Sequence, residues 1–324
     1  MKQCALPRLS SEWRRTAFAI LTFPLALSLE AGAAPIERKS FEAPEAAAQS
    51  LVEALKTNDE KALLAILGAS LKDWIESGDA VADRNARDDF IVAFEKKHTI
   101  ENSKSDQAIL LIGDDNFPFA IPLVKSDDDR WTFEPELGKQ ELIDRRVGEN
   151  ELSTIQTLLA IADAQNEYAA SDPEGKGARE YARSFISSPG KRDGLYWSTD
   201  DETETESPLG ELVAEAAVVG YHPTKEGGGE ASKEPFNGYY YRMLKGQGAH
   251  APGGAYSYVV NGRMIGGFAV IAWPAKYGAS GFKTFMVNHD QTVYEADLGP
   301  DTPRFVRKIQ TFDPDEEWKK VEEE

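Results

Sequence analysis

Cysteine is nearly absent: the 324-residue chain has one, Cys4. It lies ahead of the first apolar run, not after it, so it is not placed like a lipoprotein cysteine. A chain with no other thiol has no disulfide, no thiolate nucleophile and no cysteine-ligated metal. Histidine is scarce too. His98, His222, His250 and His289 are the only four, none at metal-ligand spacing to another and none in an HExxH helix. No phosphate-binding GxxxxGK loop occurs, and Gly246-Gln247-Gly248 lacks the third glycine of a dinucleotide fingerprint. Gly278-Ala279-Ser280-Gly281 is not the G-x-S-x-G elbow of a serine hydrolase, so Ser280 reads as a turn residue. Positive charge is in deficit: 36 Lys and Arg face 55 Asp and Glu, a net charge of −19. Such a surface repels nucleic acid and anionic membrane, and suits cationic ligands, divalent ions or basic partners.

Long hydrophobic runs are missing as well. Thr16 to Ala31 is largely apolar, but Pro24 and Glu30 interrupt it, and it is short for a permanent membrane span. Lys2, Arg8, Arg14 and Arg15 precede it, and Ala31-Gly32-Ala33 supplies the small residues that a signal peptidase reads. Residues 1–33 are therefore expected to be a signal peptide cleaved after Ala33, which places the protein in the periplasm or outside the cell. Arg14-Arg15 leaves a twin-arginine route open beside the general one. Cleavage removes those four bases and two acids, Glu12 and Glu30, so the charge moves from −19 to −21.

After a linker at 34–40, the length suits two domains. The first spans 41–147. Pro44 fits a first helical turn, with Ala47, Leu51 and Leu55 following at helical spacing. Asn58-Asp59 can cap a second helix carrying Leu63, Leu64 and Leu67 and closed by Gly68. A third helix is expected near Arg84 to Lys97, then strands at Gln107–Ile112, Phe119–Lys125 and Arg130–Glu134. Helices first and a bent sheet after make an α+β plan. The second domain spans 148–302. It opens on a helix from Glu149 to Ala169 with Leu152, Ile155, Leu159 and Ala162 on one face. A long polar loop at 171–210 follows, then a short helix at Leu209–Val219 and a flexible glycine-rich stretch at Lys225–Lys233. Strands are expected at Tyr239–Leu244 and Tyr256–Val260, the latter turned by Asn261-Gly262 into Met264–Trp273. Phe268–Gly299 reads as three strands cut by two turns. Residues 303–324 read as an acidic tail or helix.

Several long stretches carry a resemblance: FAIPLV (Phe119 to Val124), RRVGENEL (Arg145 to Leu152), SSPGKRDGLYW (Ser187 to Trp197), SPLGELVAEA (Ser207 to Ala216), NGYYYRML (Asn237 to Leu244), PGGAYSYVVNGRMIGGFAVIAWPAKYG (Pro252 to Gly278) and DLGPDT (Asp297 to Thr302). Through them the chain from about Phe41 onward resembles an uncharacterised bacterial envelope family, the domain of unknown function 2950. That family implies an envelope setting and supplies no activity or catalytic residues. The helix-then-sheet plan of the second half also resembles pilin-like domains, although the hydrophobic first half of a pilin helix is missing. The first half is similar to the cone-shaped nuclear-transport-factor-2-like fold.

The candidates for function follow. Lys191, Arg192 and Asp193 lie between two glycines on a loop beside Tyr196 and Trp197, and Tyr239, Tyr256 and Tyr277 share the domain. Tyr and Trp pair an apolar body with a polar tip, which suits binding an envelope protein or polymer. Asp172, Glu174 and Glu180 alternate with glycines in a way that would suit calcium. Asp79, Asp83 and His98 are the acid–base groups available to a hydrolase or isomerase in an N-terminal cone. The leading expectation is a non-enzymatic binding or structural module, with that enzyme and a calcium-stabilised module as alternatives.

Overall fold

The first helix begins at Pro44, where a missing N–H costs nothing, and runs to Lys56. Its Ala47, Leu51 and Val52 are buried. Asp59 accepts the Ala62 N–H and starts the helix Glu60–Leu67, which Gly68 ends at φ 109°. The computed structural model describes residues 37–177, 179–198, 205–222, 232 and 234–322. The expected signal peptide, residues 200–204 of the acidic run and nearly all of the 225–233 stretch lie outside the described residues.

Two antiparallel sheets carry the fold, which is α+β. The first orders His98–Lys104, Gln107–Ile112, Leu123–Lys125 and Trp131–Phe133, with Phe117–Pro118 paired to the second strand. Its inner face, with Leu110, Ile121, Leu123 and Phe133, packs against the first two helices and the helix Ala80–Lys96. The second sheet orders Lys319–Lys320, Val293–Ala296, Thr284–Asn288, Ala269–Pro274 and Tyr239–Leu244. One helix, Lys139–Ser171, lies along it and packs its Leu158 and Ile161 into one core with Tyr241, Val270 and Phe285.

Several expectations need correction. The boundary drawn at 147 falls inside the 33-residue helix Lys139–Ser171. Gly148 lies within that helix without breaking it, and a Cβ there would meet no other part of the fold within 4 Å. The described residues all fall in one compact unit, so the two sheets are lobes of one body. Of the expected helix face, Ile155, Leu159 and Ala162 do pack on the core, and Leu152 alone does not. Leu152 is 64% exposed, while Asn150, Thr154, Thr157 and Gln165 are buried. Their partners explain this: Gln165 donates to the Ala182 carbonyl and accepts its N–H, and Asn150 donates to the Ser280 carbonyl. The polar stripe seats the irregular segments beside it.

The strand His98–Lys104 was not expected because six of its seven residues are exposed, so it has no apolar alternation. The expected strand Phe119–Lys125 shrinks to Leu123–Lys125, and Tyr256–Val260 splits into Tyr256–Ser257 and Val259–Val260. Met264–Trp273 likewise divides into Arg263–Met264 and Ala269–Pro274. The C-terminal stretch is no tail. It forms a short helix Thr302–Val306, buries Val306 and Phe312, and ends as the edge strand Lys319–Lys320. The three strands read within Phe268–Gly299 are present. No helix among the described residues is long and apolar enough to cross a membrane.

Gln165→Leu would strand the Ala182 N–H and carbonyl in the core. It is expected to cost about 3 kcal/mol in urea unfolding, at ~1–3 kcal/mol per orphaned group. Leu152→Ala, on the exposed face, is expected to stay within about 0.5 kcal/mol of the parent.

Candidate functional site

The helix Ala80–Lys96 begins where Asp79 caps it, with Oδ1 accepting the Val81 and Ala82 N–H groups at 3.1 Å each. The side chain is 1% exposed. Its other oxygen leaves the first lobe altogether: Oδ2 accepts the Tyr221 hydroxyl at 2.8 Å and the Gly238 N–H at 2.9 Å. Burial, then the hydrogen bond to Asp79, pushes the Tyr221 pKa up, so the phenol stays protonated and donates. Gly238 sits at φ 78°, and a Cβ there would lie 2.5 Å from Asn150 Nδ2. Glycine lets the backbone reach the carboxylate. Nearby, Asn85 donates to the Val219 carbonyl and Lys276 Nζ to the Glu76 carbonyl.

In front of this latch lies an open cleft of about 460 Å³. Leu63 and Ile75 line its apolar part, and Asn58, Glu60, Glu76, Asp83 and Arg87 its polar part. Gly78 and Ala80, the neighbours of Asp79, form its rim. Asp83 uses both oxygens on the Ser77 N–H, at 3.2 and 3.0 Å. Burial pulls the Arg146 pKa down, and the Asp83 charge opposes this. With three carboxylates and one guanidinium on its walls, the cleft favours a ligand carrying positive charge.

The acid–base set Asp79, Asp83 and His98 is not assembled. Asp79 and Asp83 share the Ser77 turn, but His98 follows the far end of a helix whose rise is about 24 Å. There it stacks on Phe94 at 3.8 Å and donates to the Phe94 carbonyl. Asp79 was expected only as an acid–base group, with the helix starting near Arg84 rather than at Ala80, and its partners 142 and 159 residues away left no sequence signal.

The 187–197 loop closes on itself rather than presenting a groove. Asp193 accepts the Ser188 N–H at 2.7 Å and its hydroxyl at 2.9 Å. Burial would raise the Asp193 pKa, but these bonds outweigh it and hold the carboxyl below its usual range. Arg192 lies over Trp197 at 5.5 Å, and its carbonyl accepts the Tyr168 hydroxyl. Trp197 is 8% exposed and donates to Thr205. Tyr196 is half-buried in a backbone pairing with Phe185 and Ser187, and of the five candidates on this loop only Lys191 is exposed. Tyr239 is wholly buried because strand alternation turns it with Tyr241 toward the long helix, and its hydroxyl donates to Lys283. Tyr277 donates to Asp297 Oδ1 at 3.0 Å and packs edge-on against Phe282. Tyr256 remains on the surface, 39% exposed. The residues grouped as one binding set thus separate into a closed loop, a core ring and two surface tyrosines.

The 172–180 carboxylates do not converge on an open centre. Asp172 accepts the Lys176 and Gly177 N–H groups. Glu174 pairs with Lys176 at 2.7 Å, and Glu180, 6% exposed, with Arg263 at 2.9 Å and Lys176 at 3.6 Å. The Lys176 ammonium supplies the positive charge that a calcium ion would bring. Among the described residues no group of three or more His, Cys, Asp or Glu side chains could hold a metal.

The chain belongs to the family described as a protein of unknown function, DUF2950, whose model matches residues 38–321. No curated protein and no solved structure matches it, so neither the pilin-like nor the nuclear-transport-factor-2-like likeness is assigned.

Asp79→Ala would orphan the Gly238 N–H and remove a helix cap, for an expected loss of about 3 kcal/mol. Tyr221→Phe should cost about 1 kcal/mol. Urea unfolding followed by fluorescence checks both. If the alanine variant unfolds at the parent's midpoint, the latch contributes nothing.

Proposed function

We propose that this is an exported envelope protein that binds a ligand without transforming it, and that the ligand sits in the cleft in front of Asp79. The observation that carries the reading is the cleft itself: about 460 Å³, apolar at Leu63 and Ile75, with Glu60, Glu76, Asp83 and Arg87 converging on it. A concave, part-apolar space with a few convergent polar groups is the usual form of a small-molecule site. Asp83 is partly satisfied by Ser77, so Glu60 and Glu76 are the carboxylates that would meet an ammonium group, with Arg87 placed for an anionic group on the same molecule. The ligand class is therefore small and amine-bearing.

A binding rather than catalytic role is supported by what the acid–base candidates do. Asp79 already accepts four donors, and His98 lies beyond the other end of its helix. The envelope setting is supported by the leader at 1–33 and by the acidic, thiol-free chain that follows it.

Thermal melting tests the cleft. At low ionic strength, L-lysine or putrescine is expected to raise the melting temperature. A ligand at a hundred times its dissociation constant adds about 2.7 kcal/mol of apparent stability. The rise should vanish in Glu60→Gln/Glu76→Gln, whose exposed carboxylates are not needed for folding. No rise with any amine in a folded protein would sink the cleft reading. N-terminal sequencing of the exported product should start at Ala34. A full-length cytoplasmic product would remove the envelope setting and leave the cleft standing.

A further inference from the structure

The glycine-rich stretch from Pro252 to Gly267 plays no part in the cleft, yet it gathers three of the large exposed apolar side chains within ten residues: Tyr256 at 39%, Val260 at 43% and Ile265 at 44%. It folds as a small hairpin, with Val259–Val260 paired to Arg263–Met264 across Asn261-Gly262. The two turn residues both have positive φ, 51° and 76°, the turn that matches strand twist. The hairpin lies against His289. Gly267 makes this approach feasible, since a Cβ there would be 2.8 Å from His289 Nδ1.

Tyr256 is held rigidly but left open. Its ring meets the buried Tyr258 edge to face, 5.6 Å between centroids at 77°. Its hydroxyl is 3.5 Å from His289 Nε2, and that nitrogen is 3.9 Å from Asp290 Oδ1. His289 is itself set by Tyr258 at 5.7 Å and Phe268 at 6.4 Å, and its Nδ1 is buried with no hydrogen-bond partner among the described residues. Asp290 is half-exposed. The result is an anchored aromatic ring with a hydroxyl, an imidazole and a carboxylate at its edge.

We infer that the Tyr256–His289–Asp290 surface is a second binding site, and that it takes a neutral saccharide unit of an envelope glycan. A pyranose ring has a C–H face that stacks on one aromatic ring and hydroxyls at its edge that pair with a carboxylate and an imidazole. Two alternatives fit less well. An anionic ligand would face Asp290 and the strongly acidic chain. An ammonium cage needs several aromatic faces turned to one centre, but Tyr258 and Phe268 are buried, so one face is offered.

The test is titration of the mature chain, residues 34–324, with chitotriose and cellotriose, followed by calorimetry, with choline as the cationic competitor. The trisaccharides are expected to bind at millimolar concentration or better. Tyr256→Ala should weaken them at least tenfold and Asp290→Asn several-fold. Tyr256→Phe, which keeps the platform, should stay within about threefold of the parent. Glu60→Gln/Glu76→Gln should leave saccharide binding unchanged, which separates this site from the cleft. Melting curves establish that each variant is folded. Binding of choline alone, absence of saccharide binding, or saccharide binding indifferent to Tyr256→Ala each overturns the assignment.

Discussion

One buried carboxylate joins the two halves of this molecule. Asp79 is almost fully shielded from water and has no cation within its hydrogen-bonded set. It is satisfied by two helix N–H groups on one oxygen, and by a phenol and a glycine N–H on the other. A buried charge without a salt bridge is costly unless every lone pair is engaged. The set of four donors is therefore a geometric demand on the chain: the cap, Tyr221 and Gly238 must all be in place together. Two further cross-lobe bonds, Asn85 to Val219 and Lys276 to Glu76, accompany it. The long helix reinforces the union by extending past the second sheet, where Arg145 donates to the Pro118 carbonyl and covers the Phe117 ring.

How much of this was legible in the chain depends on the range of the interaction. Local rules located Pro44, Asp59, Gly68, the strand Tyr239–Leu244 and the Asn261-Gly262 turn, because a cap or turn needs only the residues beside it. The strand His98–Lys104 escaped because an exposed edge strand buries too little to leave an alternating pattern. On the long helix Ile155, Leu159 and Ala162 were legible as core, but Leu152 was misplaced and the buried polar stripe of Asn150, Thr154 and Gln165 was missed. A buried glutamine paired to a backbone 17 residues away has no periodic signature.

The candidate site was less legible for the same reason. Aromatic residues near the 187–197 loop gave a compositional hint, but composition does not distinguish Tyr239, wholly buried, from Tyr256, on the surface. Strand alternation separates Tyr240 from its neighbours and nothing more. The cleft residues lie on three segments between Asn58 and Arg87. They look like ordinary helix-surface charges until the turn at Ser77 brings them to one space. The acidic 172–180 loop shows the converse: its carboxylates matched a metal-loop pattern, while Lys176 and Arg263 neutralise them from within.

The span of the latch also bears on the order in which the chain acquires its shape. Asp79 meets Gly238 across 159 residues, Asn150 meets Ser280 across 130, and Lys276 reaches Glu76 across 200. Contacts so distant in sequence cannot form until the later partner has been synthesised. Their loop-closure cost also makes folding slow compared with a helical bundle of the same size. The long helix cannot bury its polar stripe until the second sheet exists to receive it. The first lobe, whose core lies wholly between Phe41 and Phe133, can pack early, whereas the second sheet waits for its last strand at Lys319–Lys320. The high negative charge of the chain would help keep such a half-folded state from aggregating.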